Sequence, residues 1–204
     1  KMKLQVLAAI LVTLYTLAVS LLFLFQRNLM YPAPQELRET PAARGLAYQL
    51  GEGLGLVDAK ATGELIRGLT LVQRRSLDHL GVRFGRLSIF LPALLKPRPR
   101  RLTGLLWSVW NGRPAVQAQD AAISQAFEPK DVEAWRACGF IALKGWCLRA
   151  DKAEDLVKRL NVLAAPGKAF TLPPELCPET GLTSEALKDV VAALGYKEQA
   201  DGTF

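Results

Sequence analysis

Hydrophobic residues along this chain form one long unbroken run, followed by shorter periodic groups. From Leu4 to Phe25, 18 of 22 residues are apolar and none is charged. At about 1.5 Å per residue, a helix of this length reaches ~33 Å, which is enough to cross a hydrocarbon core of ~30 Å. The run therefore predicts a transmembrane helix and a membrane-anchored, single-pass protein.

Two alternatives to a membrane anchor are a cleaved signal peptide and a buried core helix. A signal peptide has a shorter apolar core and a small-residue cleavage site, whereas this run ends at Phe25 and Arg27. A core helix of this length usually has a polar face. Lysines precede the run and arginines follow it, and the distribution of these cations favours a cytoplasmic C-terminal part.

The rest of the chain predicts a linker and two subdomains. Pro32, Pro34 and Pro41 oppose a continuing helix, so residues 31–44 are predicted to be a Pro-rich linker after an anchor of residues 1–30. A basic subdomain is expected over residues 45–125. A small α+β subdomain is expected over residues 126–204.

Periodicity within these subdomains predicts short elements. Helical spacing covers residues 62–80 with an interruption at Gly68, and a strand is expected over residues 82–91. Pro97 and Pro99 favour an extended or first-turn segment, with a helix from Leu102 to Trp110. The predicted elements that follow are a short helix after Asp131, strands over 140–143 and 146–148, a helix over 151–163 opened by an Asp151–Glu154 capping box, and a last helix capped by Thr183. The predicted fold class is α+β, a mostly helical soluble domain with short strands, preceded by one transmembrane helix.

Positive charge is concentrated in the middle of the chain. The net charge is +7, and the stretch from Arg67 to Arg113 contains ten basic residues and only one acid, Asp78. Guanidinium groups bind phosphate in a planar, bidentate way, and a one-sided basic surface is typical of polyanion binders. A solvated surface or a patch facing anionic lipid is the alternative. The candidate nucleic-acid-binding residues are Arg74, Arg75, Arg83, Arg86, Lys96, Arg98, Arg100 and Arg101.

Catalytic and metal-binding patterns are missing from the sequence. It contains no G-x-x-x-x-G-K-[ST] phosphate loop and no G-x-S-x-G elbow, and His79 is the sole histidine. Glu154 and Asp155 are predicted on a solvent-facing helix start. Three cysteines without a C-x-x-C pair predict free core thiols in a reducing compartment. We expect no catalytic residue, metal or cofactor, and no enzyme activity of the chain by itself.

Two resemblances to known families appear along the chain. The segment L-F-L-F-Q-R-N-L-M-Y-P at 22–32 resembles the N-terminal anchor of membrane-tethered α/β-hydrolases, but no hydrolase core follows it. Residues ~45–196 resemble the C-terminal accessory region of bacterial helicases related to the mitochondrial degradosome RNA helicase. The segments that carry this second resemblance are L-A-Y-Q-L (46–50), G-V-R-F-G (81–85), L-P-A-L-L-K-P (91–97), L-W (106–107), A-C-G-F (137–140), F-T-L-P-P-E-L (170–176) and A-L-G-Y (193–196).

The second resemblance implies an accessory module without a motor, because the motor motifs of that family are absent. Our hypothesis is a non-catalytic, membrane-tethered domain that binds the RNA or DNA backbone, with a separate helicase motor chain as a further partner. The alternatives are a membrane-associated scaffold whose basic face contacts anionic lipid or a partner, and a fragment of a larger helicase.

Overall fold

The structure is a computed structural model that describes residue 37 and residues 40–114, 116, 123–164, 169–199 and 203–204. The chain divides into two compact units, residues 1–39 and residues 40–204. The described elements of the second unit are, in chain order, α1 (Pro41–Glu52), β1 (Leu56–Asp58), α2 (Gly63–Arg67), α3 (Leu71–His79), β2 (Arg83–Phe84), β3 (Ser88–Phe90), a 3-10 turn (Pro92–Leu95), α4 (Pro97–Asn111), β4 (Ser124–Ala126), a second 3-10 turn (Pro129–Asp131), α5 (Val132–Ala137), β5 (Phe140–Leu143), β6 (Trp146–Arg149), α6 (Ala150–Leu163), α7 (Leu176–Thr180) and α8 (Ser184–Ala193).

The strands form two small antiparallel sheets. In the first sheet the order is β1-β3-β2, with Leu56 opposite Phe90 and Phe84 opposite Ile89. The second sheet has the order β4-β6-β5 and contains the predicted hairpin, whose turn is Lys144-Gly145. Both turn residues have positive φ, which suits a tight turn between antiparallel strands. The α+β part of the predicted fold class is confirmed.

The main hydrophobic core lies between the second sheet and the last three helices. It contains Leu148 of β6, Leu156 and Leu160 of α6, and Val190 of α8, each at most 2% exposed. Phe170 closes this core by exchanging two backbone hydrogen bonds with the C-terminal Phe204. Burial of each such aliphatic side chain contributes about 1.5–3 kcal/mol, so this cluster stabilises the C-terminal half strongly.

A second, smaller cluster connects the two sheets. Phe90 of β3 and Leu95 of the first 3-10 turn pack with Ala150, the first residue of α6. Cores on the two sides of the predicted subdomain boundary at 125/126 are therefore joined by direct packing. In agreement with this contact, residues 40–204 form one compact unit.

Of three helix starts predicted from the sequence, the structure confirms that of α8 and corrects those of α6 and α4. The Thr183 hydroxyl accepts from the Ala186 amide at 3.3 Å, so the predicted cap of α8 is confirmed. The predicted capping box at Asp151 is wrong, because α6 already begins at Ala150 and the Asp151 carboxylate pairs with Arg149 at 2.7 Å. The helix expected from Leu102 begins at Pro97 instead. Proline is well tolerated at a first helical position, where its missing N–H has no helical partner to lose.

The predicted transmembrane helix requires a correction to the fold class. Within the part of the chain that the structure describes, every helix is too short or too polar to span a membrane. The longest described helix is α4, and its 15 residues reach only about 22 Å and include three arginines. The structure therefore shows an α+β domain in the described residues. The predicted span Leu4 to Phe25 lies outside them.

Candidate nucleic-acid interface

The eight predicted binding residues lie on three different parts of the unit. Arg74 and Arg75 belong to α3, and Arg83 lies on β2 with Arg86 just after it. The remaining four residues belong to one segment at the start of α4. They are Lys96, Arg98, Arg100 and Arg101. The structure therefore does not place the whole set on one element, and each group has its own surroundings.

Arg74 contributes to packing inside the unit. Its side chain is half-buried on α3, and Nη2 donates to the carbonyl of Ile66 at 2.7 Å. This hydrogen bond ties α3 to the last turn of α2. Its Nε is buried and makes no hydrogen bond within the described residues. In contrast, the adjacent Arg75 is exposed to solvent.

The two arginines of the β2–β3 region have partners in the fold. Arg83 forms an ion pair with Asp78 at the end of α3, and both side chains are about half exposed. The Arg86 guanidinium hydrogen-bonds the side-chain oxygen of Asn161 on α6. Exposed pairs of this kind are weak, so a polyanion can compete for these arginines. In the structure, however, both arginines contact side chains of the same chain.

Arg100 lies in the interior. Its side chain is 1% exposed, and its guanidinium carbon lies 5.2 Å from the centre of the Phe140 ring. A cation over an aromatic face is stabilised by the ring quadrupole, and the stabilisation is larger when water is excluded. Arg100 therefore holds α4 against β5. The sequence placed it among the binding residues, but its buried position keeps it away from a polyanion at the surface.

The exposed members of the α4 segment form one turn, which we call the basic turn (Lys96, Arg98 and Arg101). Lys96 is the N-cap residue of α4, and all three side chains are exposed. The first turn of α4 contains no acid. Pro97 and Pro99 lack N–H groups, so the backbone offers few donors here. Binding of an anion at this end therefore depends on the three cationic side chains.

The basic turn lies at the N-terminal end of α4, where the helix dipole does not favour cations. The N-terminus of a helix carries a partial positive charge, and cations are normally favoured at the opposite end. In α4 the cations instead lie at the positive end, close to one another along the sequence. A phosphate at this end would meet both the cationic side chains and the positive end of the helix dipole.

The same exposed side of α4 continues as an apolar surface, which we call the apolar face (Leu102, Leu105, Leu106, Val109 and Trp110). These five side chains are between 52% and 90% exposed, with Trp110 at the upper limit. Their spacing places them on one side of the helix. The opposite side of α4 is buried and includes Thr103 and Gly104. Helix α4 is therefore amphipathic, but much of its apolar surface faces outward.

Close packing on the inner side fixes the orientation of α4. A Cβ added at Gly104 would lie 2.6 Å from the Cys138 sulfur, so α4 and the end of α5 are in direct contact there. At the other end, Arg113 lies over the Trp107 ring at 5.6 Å and donates to the carbonyl of Lys130 at 2.8 Å. These contacts hold the buried side inward, and consequently the basic turn and the apolar face are presented together.

A buried carboxylate connects α6 to the hairpin that carries Arg83 and Arg86. Glu154 is 4% exposed, and its two oxygens accept from the amides of Arg86, Leu87 and Ser88 at 2.8–2.9 Å and from the Ser88 hydroxyl at 3.2 Å. A Cβ at Gly85 would lie 2.1 Å from this carboxylate, so glycine is needed there. The prediction of a solvent-facing Glu154 is wrong. It missed this contact because nothing local in the sequence joins residues 85 and 154.

The same contact explains why residues 82–91 do not form the single predicted strand. The chain turns between β2 and β3, and the amides of that turn donate to the Glu154 carboxylate in partly or fully buried hydrogen bonds. The two short strands pair with each other as a hairpin. A strand period in the sequence cannot reveal a turn whose partners come from a distant helix.

The cysteines have the properties of buried packing groups. Burial raises the pKa of the Cys138 thiol to about 11 and that of the Cys147 thiol to about 12. Both thiols are therefore protonated near neutral pH and poor nucleophiles. Cys177 is partly exposed, and all three are free of disulfides. Among the described residues, no group of three His, Cys, Asp or Glu side chains is arranged to hold a metal ion.

Two open clefts lie along α6, away from the basic turn. One has a volume of about 480 Å³ and is lined by residues of α6 and α7 that include Lys152, Arg159 and Glu179. The Arg159 and Glu179 side chains pair with each other at 2.8 Å. Charges of both signs thus line this cleft and partly neutralise one another, so it is a weaker candidate for a polyanion than the basic turn.

Comparison with protein-family models, with curated proteins and with solved structures gives no match for this chain. The two resemblances noted in the sequence stay predictions.

Proposed function

We propose that residues 40–204 form a non-catalytic accessory domain that binds the nucleic-acid backbone through the basic turn. The observation that carries the proposal is the exposure of Lys96, Arg98 and Arg101 together at the positive end of α4. Phosphate bound there would contact these cations at the end of α4 that the helix dipole makes positive. Arg75, Arg83 and Arg86 are exposed as well and are secondary contacts in this proposal.

The chemistry of the turn suits a phosphate polymer. Two of its three cations are guanidinium groups, which contact phosphate oxygens through paired N–H donors. Residues 40–204 carry +5 of the chain's net charge of +7, with 22 Lys and Arg against 17 Asp and Glu. This charge attracts polyanions over a longer range, and displaced counterions add to the free energy of binding. The sequence resemblance to a helicase accessory region supports the same role and points to a motor chain as a partner.

The test measures binding of residues 40–204 to fluorescently labelled single-stranded RNA and DNA by anisotropy, over a series of salt concentrations. The triple variant Lys96→Gln, Arg98→Gln and Arg101→Gln removes the basic turn. A matched triple variant, Arg44→Gln, Lys60→Gln and Arg136→Gln, removes the same number of exposed lysines and arginines from other elements. Both variants have the same net charge, so a difference in their affinities shows that the position of the lost cations matters.

We expect the basic-turn variant to lose most of its affinity at low salt. For a single strand, three lost phosphate contacts reduce the slope of log K against log salt by about 2. The matched variant should keep that slope. Equal losses in the two variants would mean that only net charge matters and would refute a site at α4. Binding to phosphatidylserine vesicles but not to RNA or DNA would favour the lipid alternative.

A further inference from the structure

The apolar face of α4 is large for a surface that faces solvent. Its five side chains expose roughly 600 Å² per copy, if a fully exposed aromatic side chain is taken as about 250 Å². This area is at the upper end of the largest apolar patches on monomers, ~300–600 Å². Scattered exposed leucines need no explanation, but a continuous stripe over about two and a half helical turns indicates a contact surface.

We propose that this face docks against the same face of a second copy of the chain, with the two α4 helices antiparallel. Such an isologous pair buries one patch on each copy around a twofold axis. Complete burial of both patches would remove about 1,200 Å² from solvent, which is the lower limit for specific stable interfaces. The proposal goes beyond nucleic-acid binding and does not depend on it.

The spacing of residues along α4 suits helix pairing. Leu102, Leu105 and Val109 follow one another at intervals of three and four residues, which is the spacing of a coiled-coil seam. Leu106 borders this seam and widens the apolar contact. Side chains at such positions can interlock with those of an identical helix.

Charge selects the antiparallel orientation. In a parallel pair the two basic turns would meet, and six cations would lie side by side. In an antiparallel pair the turns lie at opposite ends, separated by about 22 Å, the length of α4. Each basic turn then lies near the C-terminal end of the partner helix, which carries a partial negative charge. Arg113 follows that end of the helix, but its guanidinium pairs with Asp131 at 3.7 Å, so the partial negative charge of the C-terminal carbonyls still favours the partner's cations.

Disulfide cross-linking of the full chain tests this geometry. With Cys177→Ser as background, Leu105→Cys lies near the middle of α4, where the two copies approach most closely in an antiparallel pair. Leu102→Cys lies about 10 Å along the helix axis from its counterpart in that pair, which is too far for a disulfide. We expect mild oxidation to link Leu105→Cys chains but not Leu102→Cys chains, or chains with Val162→Cys on the exposed side of α6. Efficient linking of Leu102→Cys chains would overturn the antiparallel orientation.

Sedimentation velocity on the full chain provides the second readout. We expect the wild type to sediment at twice the chain mass of 22.3 kDa. Val109→Glu should lower its association constant at least tenfold, whereas the equally exposed control Val162→Glu should leave the dimer intact. A monomeric wild type, or a Val109→Glu dimer as stable as the wild type, would overturn the proposal. A monomer whose binding to phosphatidylserine vesicles falls only with Val109→Glu would assign the face to a lipid surface instead.

Discussion

Replacing Glu154 by alanine removes the acceptor on which the β2–β3 turn depends. The carboxylate receives hydrogen bonds from three consecutive backbone amides, those of Arg86, Leu87 and Ser88, and from the Ser88 hydroxyl. In the alanine variant these donors lose their partner, and the Ser88 amide is buried. A cavity also forms between α6 and the first sheet. The turn must then open so that water can accept from these amides, or the amides stay without a hydrogen-bond acceptor.

The size of the loss follows from the number of donors. A hydrogen bond to a charged acceptor contributes about 1.5–3 kcal/mol, and a buried donor without a partner costs about 1–3 kcal/mol. Water can reach the amide of the exposed Arg86, which lowers the total, so we expect Glu154→Ala to reduce the free energy of unfolding by about 3–5 kcal/mol. Domains of this size are stable by about 5–15 kcal/mol, so the effect is readily measured.

Urea unfolding of residues 40–204, followed by circular dichroism, measures this change. Asp155→Ala is the matched control, because Asp155 is the exposed neighbour of Glu154 and should change stability by less than about 0.5 kcal/mol. Gly85→Ala forces a methyl group into the same carboxylate and should be destabilising too, but less than additively in combination with Glu154→Ala. If Glu154→Ala and Asp155→Ala unfolded at the same urea concentration, the reasoning about the carboxylate would be refuted.

Two further predictions concern the contact between α4 and α5 and the buried thiols. Gly104→Ala should destabilise the unit by about 1–3 kcal/mol, and Cys138→Ala should partly rescue it, whereas Gly51→Ala has open space and should be stabilising in urea unfolding. At pH 8 Ellman's reagent should modify Cys177 in the folded chain long before Cys138 and Cys147, and rapid modification of all three would contradict the burial of the latter two. Because burial raises both pKa values, their contribution to stability is full below the ordinary thiol pKa and is lost as pH rises towards about 11–12.

The sequence predicted elements well where local signals suffice. Gly68 separates α2 from α3 as expected, and Thr183 caps α8 through its hydroxyl. The Lys144-Gly145 turn joins β5 and β6 as predicted. Each of these features depends on residues within a few positions of one another. The β2–β3 turn was missed because its stabilising partner, Glu154, is 66–68 positions away along the chain.

The candidate site was predicted less completely, because a count of charges does not reveal what an arginine side chain contacts. Arg100 and Arg101 are adjacent in sequence and chemically identical. On a helix they point about 100° apart. One is therefore buried over Phe140, and the other is exposed on the basic turn. The rotation of α4 about its axis determines which of the two arginines is buried. The sequence did not reveal this, because Pro97 and Pro99 argued against a helix at this position.

The phase of α4 also links the two proposals made for it. Rotation of the helix by half a turn would bury Leu102 and Val109 and expose Arg100, which is the arrangement expected from hydrophobicity alone. The observed phase is instead fixed by the missing side chain at Gly104 and by the contact of Arg100 with Phe140. The result is an apolar stripe that faces solvent and is large for an isolated surface. The proposed pairing with a second copy would cover this stripe, and the proposed polyanion would bind at the basic turn, at the N-terminal end of the same helix.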